Sequence, residues 1–117
     1  MGEAVEIPDL LPGTLDLLIL RTLLPAPSHG HAIAKHIQRT SEDLLQVETG
    51  SLYPALYRLE AKGWIAGSWG LSEKGKRARY YRITPGGRRQ LTSEHSKWKT
   101  FARAMGLLLK PLGEEGR

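Results

Sequence analysis

Apolar residues recur at helical spacing in four separate stretches of the chain. Leu15, Leu18, Ile19, Thr22 and Leu23 predict a first helix over residues 10–24, opened by Pro12-Gly13-Thr14 and broken by Pro25, Ala26 and Pro27. Ser28 is placed to cap a shorter second helix over residues 29–39, with Ala32, Ile33 and Ile37 inward. Residues 40–48 then read as a connection. Leu52, Ala55, Leu56 and Leu59 mark a third helix, which Gly63 stops, with Trp64 and Ile65 packing back. Pro54 lacks a backbone N–H and so belongs in a first turn, which makes the hydroxyls of Thr49 and Ser51 the expected caps. Two strands follow, WIAGSWG and RYYRIT, around a charged tip, with Tyr81 and Ile83 alternating inward. Thr84-Pro85 starts a last helix that reaches Lys110, where Pro111 ends it, a length of roughly 38 Å at 1.5 Å per residue.

Three helices, a hairpin and a long final helix predict a mostly α fold with a small antiparallel β-hairpin. The arrangement is a winged helix-turn-helix with a long C-terminal dimerisation helix. Residues 1–9 form an arm, 10–84 the winged module, 85–110 the last helix and 111–117 a tail. Leu91, His95, Trp98, Ala102, Met105 and Leu109 make a stripe at alternating four- and three-residue steps, the pattern of a helix lying along a partner helix. Phe101 and Leu108 widen it. The stripe is longer than the small module could cover, so a second copy of the chain is its expected partner.

Charge sharpens this picture. The 117 residues carry a net +5, but residues 1–48 hold three cations against seven carboxylates, while residues 49–110 hold thirteen against three. Positive charge thus begins with the third helix, which suits a phosphate polyanion as partner. Ser51 and Tyr53 lie on the leading turn of that helix, with Tyr57 and Arg58 one turn back. Thr49 and Gly50 precede them, where backbone N–H groups of Gly50 and Ser51 are expected to be free for a phosphate. Lys74, Lys76, Arg77 and Arg79 surround the hairpin tip, where Gly75 supplies the turn. Together these ten residues form the candidate surface for double-stranded DNA. Each has a plainer reading: Tyr53 is equally suited to packing, and Arg79 to pairing with Glu73. A wing that binds protein through Trp64 and Trp69, or a dimer that only carries a small molecule, are the alternatives.

Other chemistries find little support. There is no Cys, which fits a reducing cytoplasm, no apolar run of membrane-spanning length, and an acidic N-terminus unlike a signal peptide. No nucleophile motif, phosphate loop or paired-carboxylate pattern is present, so neither an enzyme nor a cofactor is expected. His29, His31 and His36 do not share one helix face with a carboxylate, which leaves no metal site.

The segments GSLYPALYRLEAKGWI and YYRIT, together with LLPGTLDLLIL and HGHAI upstream, resemble the PadR family of bacterial transcription regulators over roughly residues 10–105. The resemblance implies a homodimer that binds a palindromic operator and represses transcription until an effector releases it. It also places Trp98 where multidrug-binding members carry a Trp that sandwiches flat aromatic ligands, although packing across the interface is the simpler use. His31 departs from the pattern, because relatives usually carry an aromatic there.

Overall fold

The computed structural model describes residues 5–6 and 13–110. The expected beginning of the first helix at residues 10–12, most of the arm, Pro111 and the tail lie outside these. Helix α1, Thr14–Leu23, follows Gly13, whose φ of 86° is a left-handed conformation that favours glycine. It buries Ile19, Leu20 and Leu23. Strand β2, Ser28–His29, leads into α2, Gly30–Thr40, which buries Ile33 and Ile37.

The cap of α2 is His29 rather than Ser28: its Nδ1 accepts the Ala32 N–H at 3.1 Å. Pairing of Ser28 with Tyr81 and of His29 with Tyr80 keeps the chain extended through His29, so the helix starts one residue later and His29 stands at the cap. Helix α3, Thr49–Ala61, also begins differently from expectation. Its cap is Glu48, without a side-chain bond, and Thr49 is already helical. The Glu48 carbonyl accepts both the Ser51 and Leu52 N–H groups at 3.0 Å, so the Ser51 N–H is not free. Pro54 therefore stands in the second turn, not the first, and its ring removes the N–H that the Gly50 carbonyl would receive.

The other end of α3 is as expected. Gly63, with φ 75°, donates to the Glu60 carbonyl, and Trp64 donates to that of Leu59, both at 3.0 Å. Those two bonds close the Schellman stop.

Strands β4, Ile65–Leu71, and β5, Arg77–Ile83, form the hairpin, in register from Ile65 opposite Ile83 to Leu71 opposite Arg77. Ser72 N–H donates to the Lys76 carbonyl at 2.8 Å, and Gly75 takes φ 74° in the tip. Strand β2 adds to the free edge of β5, giving a three-stranded antiparallel sheet in the order β2-β5-β4. The connection to α3 contains β3, Leu45–Gln46, parallel to β1, Val5–Glu6.

Helix α4, Pro85–Leu108, has Pro85 in its first turn and Thr84 as cap, whose Oγ1 accepts the Gly87 N–H at 3.0 Å. The same hydroxyl donates to the Gly63 carbonyl at 2.7 Å, fastening the start of α4 to the end of α3. A single core joins the elements: Ile19, Leu20, Leu23, Ile33, Leu56, Leu59 and Ile65 are almost wholly enclosed. Each such side chain contributes about 1.5–3 kcal/mol. Leu91 is the last residue of α4 in that core. Beyond it the helix runs beside α1 as far as Phe101 and then extends past the body, and the molecule measures 60 × 28 × 22 Å.

Candidate nucleic-acid interface

A cleft of about 780 Å³ separates the α2 side of the molecule from the hairpin. Tyr53 lies in it, 47% exposed, its ring seated over Gly30 so closely that a Cβ there would stand 3.0 Å from the hydroxyl. Tyr53 is thus packed along one edge and open along the other. Tyr57, one turn on, is 77% exposed. Thr49 and Gly50 are exposed and Ser51 half-buried. Apart from its neighbours and the backbone of its own helix, nothing lies within 4 Å of where a Gly50 Cβ would be, which leaves this turn open to close approach.

Two of the expected cationic contacts are engaged within the protein. Arg58 donates to Asp16 of α1 at 2.7 Å, tying α3 to α1. Arg79 pairs not with Glu73 but with Glu60 of α3 at 2.6 Å. The Glu60 carboxylate also accepts the Gly67 N–H at 3.2 Å. A Cβ at Gly67 would meet the Arg79 guanidinium at 2.6 Å, so the glycine makes room for that pair. Glu73 instead faces His29 Nε2 at 3.6 Å. Lys74, Lys76 and Arg77 remain exposed at the tip, and among the described residues none of them makes a salt bridge. Arg77 stacks over Trp69 at 4.4 Å, which holds its charge on the wing face. Beneath, burial pushes the Tyr81 phenol above its usual value, and the Arg79 guanidinium partly offsets this.

The expected pairing stripe divides. Leu91 is spent on the protomer's own core. His95 and Trp98 are exposed, Trp98 at 46%, while Ala102 and Met105 are half-buried and Leu109 is exposed. Trp98, His95 and Phe101 line a mostly apolar groove of about 570 Å³ with Leu17 and Leu18 of α1. Sequence spacing found α4's half of this groove and missed α1's, because Leu18 read as an ordinary core position and Leu17 lies off the row that spacing picked out.

Residues 19–93 match the PadR-like family of transcriptional regulators. The chain belongs to that family. As a PadR-like protein it is 30% identical over 104 residues to a protein of Lysinibacillus sphaericus, covering 89% of this chain and 95% of that one. It is 35% identical over 75 residues to a transcriptional regulator of Mycobacterium tuberculosis, covering 64% of this chain and 66% of the other. A transcriptional regulator from Clostridium thermocellum superimposes with a TM-score of 0.76 at 33% identity, covering 84% of this chain and 95% of that one. A PadR family regulator from Clostridium difficile gives 0.72 at 30% identity, covering 84% and 100%. PadR-like proteins are DNA-binding transcription regulators, not enzymes. Among the described residues no helix is long and apolar enough to cross a membrane.

Proposed function

We propose that this PadR-like regulator is a homodimeric repressor of the cytoplasm that binds a palindromic operator and is released by an effector. The leading turn of α3, with Thr49, Gly50, Ser51 and Tyr53, enters a major groove, where base pairs present distinguishable edges. Tyr57 follows it toward bases or backbone. Lys74, Lys76 and Arg77 grip flanking phosphate or the adjacent minor groove. Arg58 and Arg79 serve the surface indirectly, since their guanidinium groups orient α3 and the hairpin through Asp16 and Glu60. One observation carries this reading: a single winged module presents a highly exposed Tyr57 together with a tip cluster that makes no salt bridge among the described residues.

Two copies pair along His95, Trp98, Ala102, Met105 and Leu109, and the resulting two-fold axis supplies the symmetry a palindrome demands. The groove beside Trp98 is where a flat aromatic effector would act on that pairing. Binding to duplex DNA from upstream of the protein's own gene tests the DNA-binding reading. Tyr57→Phe should weaken binding several-fold, the loss of one hydrogen bond of about 1 kcal/mol. Lys76→Ala should weaken it with a shallower salt dependence, by about 0.9 in the log–log slope. Wild-type affinity in both variants would refute this docking.

A further inference from the structure

The wall of the cleft opposite the hairpin tip carries a line of basic residues, two of them cations. His31, Lys35 and Arg39 fall at four-residue steps on α2, all exposed, all lining the cleft across from Lys74, Lys76 and Arg77. Four residues of helix rise about 6 Å, so the line is about 12 Å long. Helix α2 contains no carboxylate to balance it, and among the described residues neither Lys35 nor Arg39 makes a salt bridge. Like charges at four-residue spacing cost an isolated helix about 0.2–0.5 kcal/mol. The cations of the hairpin tip on the facing wall add to that repulsion. Among the described residues only one carboxylate lines the cleft, Glu73, and it faces His29.

The geometry points to this cleft as the seat of one sugar–phosphate strand, with His31, Lys35 and Arg39 as a phosphate track on α2 facing the wing. The inference rests on the DNA-binding reading and adds residues and a path to it. With α3 in a major groove and the wing tip at the neighbouring minor groove, the strand dividing those grooves runs between the two elements. Phosphates of one strand advance about 3.4 Å along the duplex axis, so the track spans roughly three of them. Such contacts fix orientation without reading sequence.

Salt titration of binding to a mixed-sequence duplex, alongside the upstream DNA, tests the track. Lys35→Ala and Arg39→Ala should each lower the log–log salt slope by about 0.9 per protomer on both duplexes, leaving the preference between them unchanged. Lys35→Arg should restore the slope. Alanine favours helix at these exposed positions, so circular dichroism should be unaltered. Lys99→Ala, which removes a cation from exposed α4, should leave the slope as it was. Wild-type slopes in Lys35→Ala and Arg39→Ala, with a reduced slope in Lys76→Ala, would overturn the track and leave the DNA-binding reading standing. An equal fall in Lys99→Ala would overturn it too, as an effect of net charge. Absence of binding to either duplex by the unaltered protein would overturn both.

Discussion

Tyr81 illustrates how much of this surface is set from beneath. Its ring is buried under the hairpin, beside the Arg79–Glu60 pair, and burial raises its phenol above the ordinary 10.0. The unfolded chain loses that proton at lower pH than the fold does. Stability from the neutral phenol is therefore complete below about pH 10 and lost as pH rises past it. Tyr81→Phe, with nothing to ionise, should show a shallower fall in urea midpoint as pH rises past about 10. A decline as steep as that of the unaltered protein would show that Tyr81 does not control the alkaline limb. The residue types at this site were legible in the sequence, but their partners were not. Arg58 finds Asp16 across 42 positions and Arg79 finds Glu60 across 19, separations that no local spacing rule reaches.

At the level of elements, features with local causes could be read directly. The stop at Gly63, the turn at Gly75 and the Thr84-Pro85 start each depend on a few consecutive residues. Strand β2 could not be read, because two residues gain their extended form only from pairing with β5. The same pairing displaced the α2 cap from Ser28 to His29. Pro54 misled for another reason: a proline excludes interior positions less sharply when the carbonyl it strands, that of Gly50, lies at an exposed helix start. The tightest junction involves Gly87, where a Cβ would overlap the Trp64 carbonyl oxygen and press on the Ile83 side chain at 2.9 Å. Gly87→Ala should therefore destabilise the fold by about 2–3 kcal/mol in urea unfolding, despite alanine's higher helix propensity. An unchanged midpoint would mean that α4 can shift away from β4 without loss.

Across the whole molecule, α4 carries its exposed apolar residues well beyond the shared core. Leu107, Leu108 and Leu109 are all more than 60% exposed at its far end, an arrangement suited to a partner helix. In the proposed dimer, Trp98→Ala should raise the dissociation constant at least tenfold, about 1.4 kcal/mol, as read by sedimentation velocity over a range of concentrations. Unchanged mass across that range would place Trp98 outside the contact. Spacing alone assigns the proposed seam a row on α4 that begins at Leu91. Where that row leaves the core was not legible, because Leu91 belongs to the same periodic row as Trp98 yet faces the interior.

Thr84 joins the end of α3 to the beginning of α4 through one hydroxyl, which donates to Gly63 and accepts from Gly87. That corner works as a stiff elbow at the base of a long boom. A swing of about 5° there carries the tip of a 24-residue helix about 3 Å. In the proposed dimer, a small molecule that tilts the boom from the groove beside Trp98 would thus alter the stance of the two heads far more than its own size suggests.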